Sequence, residues 1–219
     1  MSANTQVRVA IGIAAIVWFV IALLAHQAAL TTALRSISIA ASVATIIFLL
    51  YDRYIWKWSV VRTLTRKPLV EGTWRGSLKS DYIPQGGSKS LRAIPSVIRI
   101  EQTDSNIYIT LFTKESQSVS ELGRLVKEAD GRWRITWQYA NSPRPSVRHR
   151  SSVHQGICDV YLTGSGGETL AGQYFTNRKT TGEVYFNEWS KRKYGDAESA
   201  LKAADFNRAH PFSSNLGRA

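Results

Sequence analysis

The chain has one cysteine, Cys158, and one methionine among 219 residues. A single thiol excludes an internal disulfide and any four-cysteine metal site. Its neighbours Gly156, Ile157 and Val160 read as strand, so Cys158 is expected as a small core residue rather than a nucleophile. Histidine is scarce, at positions His26, His149, His154 and His210, with no Asp, Glu or Cys at metal-ligand spacing. No His-Glu-x-x-His, Gly-x-Ser-x-Gly or Walker loop occurs, and Gly164–Gly167 reads as a hairpin tip. No catalytic residue, metal or cofactor is assigned, and binding rather than catalysis is expected. Acidic residues are also few, 16 against 28 Lys and Arg, for a formal charge of +12. Residues 1–67 hold seven basic residues and one acidic one, and the remainder of the chain carries the other half of the excess. The second half of that charge favours an anionic partner.

Charge is missing altogether from two stretches near the N-terminus. Val9 to Ala25 and Ile37 to Tyr51 are uncharged and apolar. Each is somewhat short of the roughly 20 residues of a spanning helix, and flanking residues can extend both. They read as two transmembrane helices joined by a tight hairpin around Leu30–Ser36. A signal peptide is the competing reading of the first run, but no small-x-small cleavage site comes after it and a second apolar run does. The hairpin offers only Arg35, whereas Arg53, Lys57, Arg62, Arg66 and Lys67 come after the second run. The positive flank stays cytoplasmic, which places both termini and the soluble part in the cytoplasm. Tyr51, Tyr54, Trp56 and Trp58 read as an interfacial aromatic belt. Small residues four apart, Ser38/Ser42, Ala40/Ala44 and Ala41/Thr45, offer faces for close helix packing.

After Lys67-Pro68 the long apolar runs give way to short alternating segments. Strands are predicted at 72–79, 96–103, 106–113, 117–127, 132–140, 153–162, 168–177 and 182–190. Turn signals fall at Asp104-Ser105-Asn106, Ala129-Asp130-Gly131, Gly164–Gly167 and Thr181-Gly182. Eight strands joined mostly by tight turns suggest an up-and-down antiparallel barrel, with a split sandwich as the alternative. Such a barrel has room for side chains or one small ligand. A C-terminal helix is expected over 196–208 with Asp196 as its N-cap. The expected divisions are a helical hairpin and basic linker over 1–67, a barrel over 68–195, and a helix and tail over 196–219.

The strands interleave cations with flat aromatic faces, as a receptor for a phosphorylated base requires. Alternation places Trp133, Ile135, Trp137 and Tyr139 on one face, with Arg132, Arg134, Thr136 and Gln138 on the other. A plain core face backed by a solvated face fits the same pattern. Arg178 stands apart because Thr176, Asn177 and Thr180 surround it with hydrogen-bonding groups at a strand end.

Several motifs occur in a fixed order: two apolar spans, the Gly72-Thr-Trp74 strand, Tyr139-x-Asn141-x-Pro143, His154-x-Gly156, and Gly172-x-Tyr174-Phe175-Thr176-x-Arg178-x-Thr180-x-Gly182. Together they resemble the two-transmembrane, β-strand-rich effectors of bacterial CBASS antiphage systems. The resemblance implies a lipocalin-like eight-stranded barrel that acts as a receptor for a cyclic dinucleotide made by a cognate nucleotidyltransferase. It further implies homo-oligomerisation on ligand binding, disruption of the inner membrane by the clustered helices, and abortive infection. The positions carried over as ligand contacts are Tyr139, Asn141, Tyr174, Thr176, Arg178 and Thr180. The partners implied are this ligand, the lipid bilayer and further copies of the chain, and not nucleic acid. A membrane-tethered carrier of a lipid or other apolar molecule is the competing function, and it predicts a uniformly apolar lumen. Nonspecific nucleic-acid binding through Arg144–Arg150 and a hydrolase with a scattered active site are further alternatives.

Overall fold

The structure, a computed structural model, describes residues 11–20, 30–81, 93–164 and 168–207. The chain divides into two compact units. One comprises Met1–Lys67 with the turn Thr103–Ser105, and the other comprises Pro68–Gln102 with Asn106–Ala219.

In the first unit, helix α1 is described over Ile11–Val20 and helix α2 runs from Leu30 to Arg53. The expected hairpin at Leu30–Ser36 is thus corrected, because those residues form the first turns of α2. The segment has no Gly or Pro, and nothing in it stops a helix. The segment joining α1 to α2 lies outside the described residues. Among the described residues one helix is long and apolar enough to cross a membrane, over Ile37–Lys57. Ile37, Ile39, Ile46, Leu49 and Leu50 are exposed, as lipid-facing side chains would be, while Ala40 and Ala44 are buried. The Ser42 and Thr45 hydroxyls donate to the carbonyls of Ser38 and Ala41 one turn back, which satisfies them without an external partner.

A 3₁₀ turn, Ile55–Lys57, and a short helix α3, Ser59–Thr65, come next. Tyr54 and Trp58 are exposed here, but Trp56 is only 1% exposed and does not belong to an aromatic belt. Its ring is covered by the Lys67 ammonium, 5.4 Å from the ring centroid. Lys67 is itself buried and donates to the Asp104 carboxylate at 3.2 Å and to the Asp104 carbonyl. The same turn is held by Asp52, whose carbonyl accepts from the Asp104 N–H and whose carboxylate accepts from the Ser105 N–H.

The second unit is a closed eight-stranded barrel in which each strand pairs antiparallel with its sequence neighbour and β8 pairs with β1. The strands are β1 Gly72–Ser80, β2 Ile94–Gln102, β3 Ile107–Thr113, β4 Ser116–Lys127, β5 Trp133–Pro143, β6 His154–Thr163, β7 Thr169–Thr176 and β8 Thr181–Ser190. Closure leaves no open sheet edge. The sequence locates all eight to within three residues at either end. One turn signal is misplaced: the β7–β8 turn is Asn177–Thr180, and Thr181-Gly182 begin β8. Inward-facing Trp74, Ile98, Ile100, Ile135, Trp137, Val160, Leu170, Val184 and Phe186 form the main core. The face carrying Trp133, Ile135, Trp137 and Tyr139 is therefore the luminal one. Where the chain enters the barrel, the Gln102 amide accepts from the Val70 N–H at 2.8 Å and donates to the Pro68 carbonyl at 2.9 Å. This buried clip closes that end, and the Trp74 indole donates to the Val70 carbonyl beside it.

Helix α4, Ala197–Lys202, packs outside the barrel on Val97 with Tyr194 and Ala200. The Asp196 carboxylate caps it by accepting from the Ser199 N–H, as expected. The helix is shorter than the expected 196–208. Asp205 accepts from the Tyr194 and Ser190 hydroxyls, and Arg75 donates to the Leu201 and Ala203 carbonyls. These contacts draw the chain out of the helix and lay Asn207 against Trp189 as a β-bridge.

Candidate ligand site at the polar end of the barrel

The lumen is not uniform. Trp74, Ile98, Ile100, Ile135, Val160, Leu170 and Phe186 are each 0% exposed, so no water-sized void touches them. That half of the lumen is filled with side chains. Toward the end formed by the β3–β4, β5–β6 and β7–β8 turns, the inward-facing positions change character. There the strand alternation presents Ser96, Thr113, Ser116, Ser118, Asn141, His154 and Thr176. Polar groups on a barrel's inner wall carry a desolvation cost unless they meet partners or a ligand.

Two tyrosines line this region. Tyr139 on β5 is opposite Gly156 on β6, which is opposite Thr176 on β7. Tyr174 on β7 is opposite Gly182 on β8. A Cβ at Gly156 would collide with the Tyr139 phenol, and a Cβ at Gly182 would collide with the Tyr174 ring. Each ring lies across a glycine on the neighbouring strand. The motif glycines His154-x-Gly156 and Thr180-x-Gly182 make that room. Burial pushes both phenols above their ordinary range, with the Cys158 and Tyr174 groups adding for Tyr139. The positive charge of Arg178 acts on both in the opposite direction. Cys158, on the same inner face, is buried in the core as expected.

Arg178 sits in the β7–β8 turn. Thr176 and Thr180 brace that turn: their hydroxyls are 2.6 Å apart, and the Thr180 N–H donates to the Thr176 hydroxyl at 3.3 Å. Lys179 adopts the left-handed region at φ 60° to complete it. The Arg178 guanidinium reaches the start of β6, where it makes only long contacts of 3.5 Å with the Ser151 hydroxyl and Ser152 carbonyl. Its Nε is buried and has no hydrogen-bond partner among the described residues. A buried guanidinium N–H without an acceptor is costly in an isolated protein and suits an incoming anion.

Next to it runs a polar chain. The Ser118 hydroxyl donates to Asn141 Oδ1 at 2.8 Å, and the Asn141 amide is 3.4 Å from His154 Nδ1. Asn141 and Ser118 are buried. Burial holds the His154 imidazole below its ordinary value, the nearby Arg178 charge pushes the same way, and the Ser152 carbonyl partly offsets both.

All six residues carried over from the sequence, Tyr139, Asn141, Tyr174, Thr176, Arg178 and Thr180, thus converge on one end of one barrel. They come from β5, β7 and the turn after β7. Sequence reasoning missed Ser118. Its available signal was the Ser116-x-Ser118-x-Ser120 alternation in a strand whose other half carries Leu122, Leu125 and Val126. Among the described residues no group of His, Cys, Asp and Glu could hold a metal ion.

A closed eight-stranded barrel with one packed end and one cationic, tyrosine-walled polar end defines a small-ligand receptor. Residues 65–188 match the family described as Cap15, cyclic dinucleotide receptor domain. The chain belongs to that family of CBASS effectors. It is also similar to the "CD-NTase-associated protein 15" of Staphylococcus schleiferi, 24% identical over 148 residues that cover 68% of this chain and 76% of the relative.

Proposed function

We propose that the polar end of the barrel binds a cyclic dinucleotide and that occupancy gathers copies of the chain into an oligomer whose helices breach the inner membrane. The buried Nε of Arg178, without a partner among the described residues, carries the binding half of this reading. A ring phosphate would supply the missing acceptor. Its charge would meet a planar guanidinium fork on a backbone that the braced turn already holds. Tyr139 and Tyr174 offer two flat faces for two bases, each worth about 1–3 kcal/mol by stacking. The receptor is read as binding without turnover, and its ligand as the product of a cognate nucleotidyltransferase.

The carrier alternative loses support, because its apolar guest would need the half of the lumen that Trp74, Ile135, Val160 and Phe186 already fill. The helical unit over residues 1–67 is read as the membrane effector, multi-pass with both termini cytoplasmic. Residues 68–195 are read as the sensor, and 196–219 as its C-terminal helix and tail. A ligand shifts assembly only by its differential affinity for the assembled form. Oligomerisation must therefore be tighter with ligand than without.

The test uses the full chain in detergent and in liposomes. Calorimetry against two-base ring nucleotides should show saturable heat, and long-chain fatty acids none. Liposomes loaded with dye should leak only when both protein and ligand are present. Heat with fatty acid alone would establish the carrier. Leakage independent of ligand would separate the membrane activity from the sensor.

A further inference from the structure

The polar end of the lumen is rich in donors. Arg178 has an unpartnered N–H among the described residues, and the two tyrosines bring hydroxyl groups. The acceptors nearby are mostly engaged. Asn141 Oδ1 accepts from Ser118, and the Asp81 carboxylate accepts from both the N–H and the hydroxyl of Thr181. His154 is the exception. The β6 alternation places it on the inner face with Gly156, Cys158 and Val160, directly opposite Asn141.

Its neighbours set its tautomer. Nδ1 is 3.0 Å from the Ser152 carbonyl oxygen, which can only accept, so Nδ1 carries the proton. The Asn141 amide nitrogen lies 3.4 Å from Nδ1, near the outer limit of a hydrogen bond, and does not displace that shorter contact. In a neutral imidazole the other nitrogen, Nε2, then holds a bare lone pair. Partial burial, and after it the neighbouring Arg178 charge, favour the neutral ring. Nε2 makes no hydrogen bond to any described residue.

We propose that His154 is the base-reading residue of this site, its Nε2 accepting a hydrogen bond from an amino or imino N–H on the edge of the base stacked at Tyr139. This rests on the cyclic-dinucleotide reading given above. Arg178 and the tyrosines recognise what every such ligand shares, a phosphate and two flat faces. Unlike the hydroxyls around it, His154 Nε2 can only accept, so it asks for a donor at one place on a base edge, and bases differ in where their donors lie. A site that hydrogen-bonds a ligand group rejects analogues that leave its buried acceptor unpaired.

The experiment measures affinities of the full chain in detergent for five probes: the all-adenine, all-guanine and all-uracil ring dinucleotides, and the mixed guanine–adenine and uracil–adenine rings. Wild type, His154→Phe, His154→Gln and Arg178→Ala are compared. Wild type should separate the best and worst of the five by roughly tenfold or more. His154→Phe should weaken the best ligand by roughly five- to tenfold, change the poor ligands less than about twofold, and so compress the ranking. His154→Gln, which keeps an acceptor oxygen, should retain the order of preference. An unchanged ranking in His154→Phe, or a uniform loss across all five ligands, overturns the proposal. If such a result accompanies loss of all binding in Arg178→Ala, the receptor reading stands and only the role of His154 falls. If wild type binds none of the five, both fall together.

Discussion

Tyr139 on β5 lies across Gly156 on β6, its phenol occupying the space in which a side chain at residue 156 would stand. The geometry of the ligand end depends on that absence. Gly156→Ala should displace the ring and overpack the wall, at a cost of about 1–3 kcal/mol. A urea titration should show a lower midpoint, and ligand affinity should fall with it. Gly195→Ala is the control: a Cβ there meets nothing within 4 Å, and its effect should stay within about 0.5 kcal/mol. Equal effects at the two glycines would mean that Tyr139 does not depend on the space beside it.

Arg178→Ala should abolish or severely weaken ligand binding while leaving the melting temperature of the unliganded chain nearly unchanged. Its contacts to Ser151 and Ser152 are both 3.5 Å, at the outer limit of a hydrogen bond. Losing a charge-assisted hydrogen bond to a phosphate should cost about 2–3 kcal/mol, roughly 30- to 150-fold in affinity. Arg178→Lys should recover only part of this, because an ammonium cannot reproduce the planar fork. A large drop in melting temperature would instead mark Arg178 as a structural brace.

Lys67→Met should destabilise the helical unit strongly, by about 3–5 kcal/mol, because it leaves the Asp104 carboxylate buried without its cation. The double variant Lys67→Met/Asp104→Leu should be milder, since no lone charge remains. Thermal unfolding of the full chain in detergent checks both. A double variant as damaged as the single one would show that the packing around Trp56, and not the charge, is what Lys67 supplies.

His154 should titrate below the ordinary imidazole value of 6.5. A folded-state value depressed in this way means the unfolded chain binds the proton more readily. The group's contribution to stability is then fully present above about pH 6.5 and is lost as pH falls through the window down to the folded-state value. Proton NMR of the His154 ring should show the shifted midpoint, and stability measured across that window should decline toward acid. A His154 midpoint above 6.5 would overturn the assignment of a neutral ring beside Arg178.

Much of this protein is legible from residue order because its signals are local. Alternation of the Trp133–Tyr139 kind, interrupted by turns rich in Asp, Ser and Gly, marks each strand separately, so all eight can be found without reference to one another. The two apolar runs are legible for the same reason. The errors arise where a distant partner decides the outcome. Nothing near Leu30–Ser36 distinguishes a turn from the start of a helix except the absence of a breaker. Trp56 reads as an interfacial residue until Lys67 and the Asp104 turn cover it. Helix α4 stops at Lys202 because Arg75, Tyr194 and Ser190, remote in sequence, hold the segment beyond it away from the helix axis.

The candidate site divides the same way. The Tyr139-x-Asn141 and Tyr174–Thr180 motifs are visible as motifs, and a strand's period of two already fixes which of their residues share a face. Residue order alone accounts for eight strands, their alternation and the excess of positive charge, because each is a property of neighbours along the chain. Closure of the barrel made one face the lumen, and the pairing of neighbouring strands joined Ser118 to Asn141 and His154 and set Gly156 and Gly182 beneath two rings. Those relations are set by hydrogen-bond register between strands, and register is a property of pairs of segments that no single segment carries.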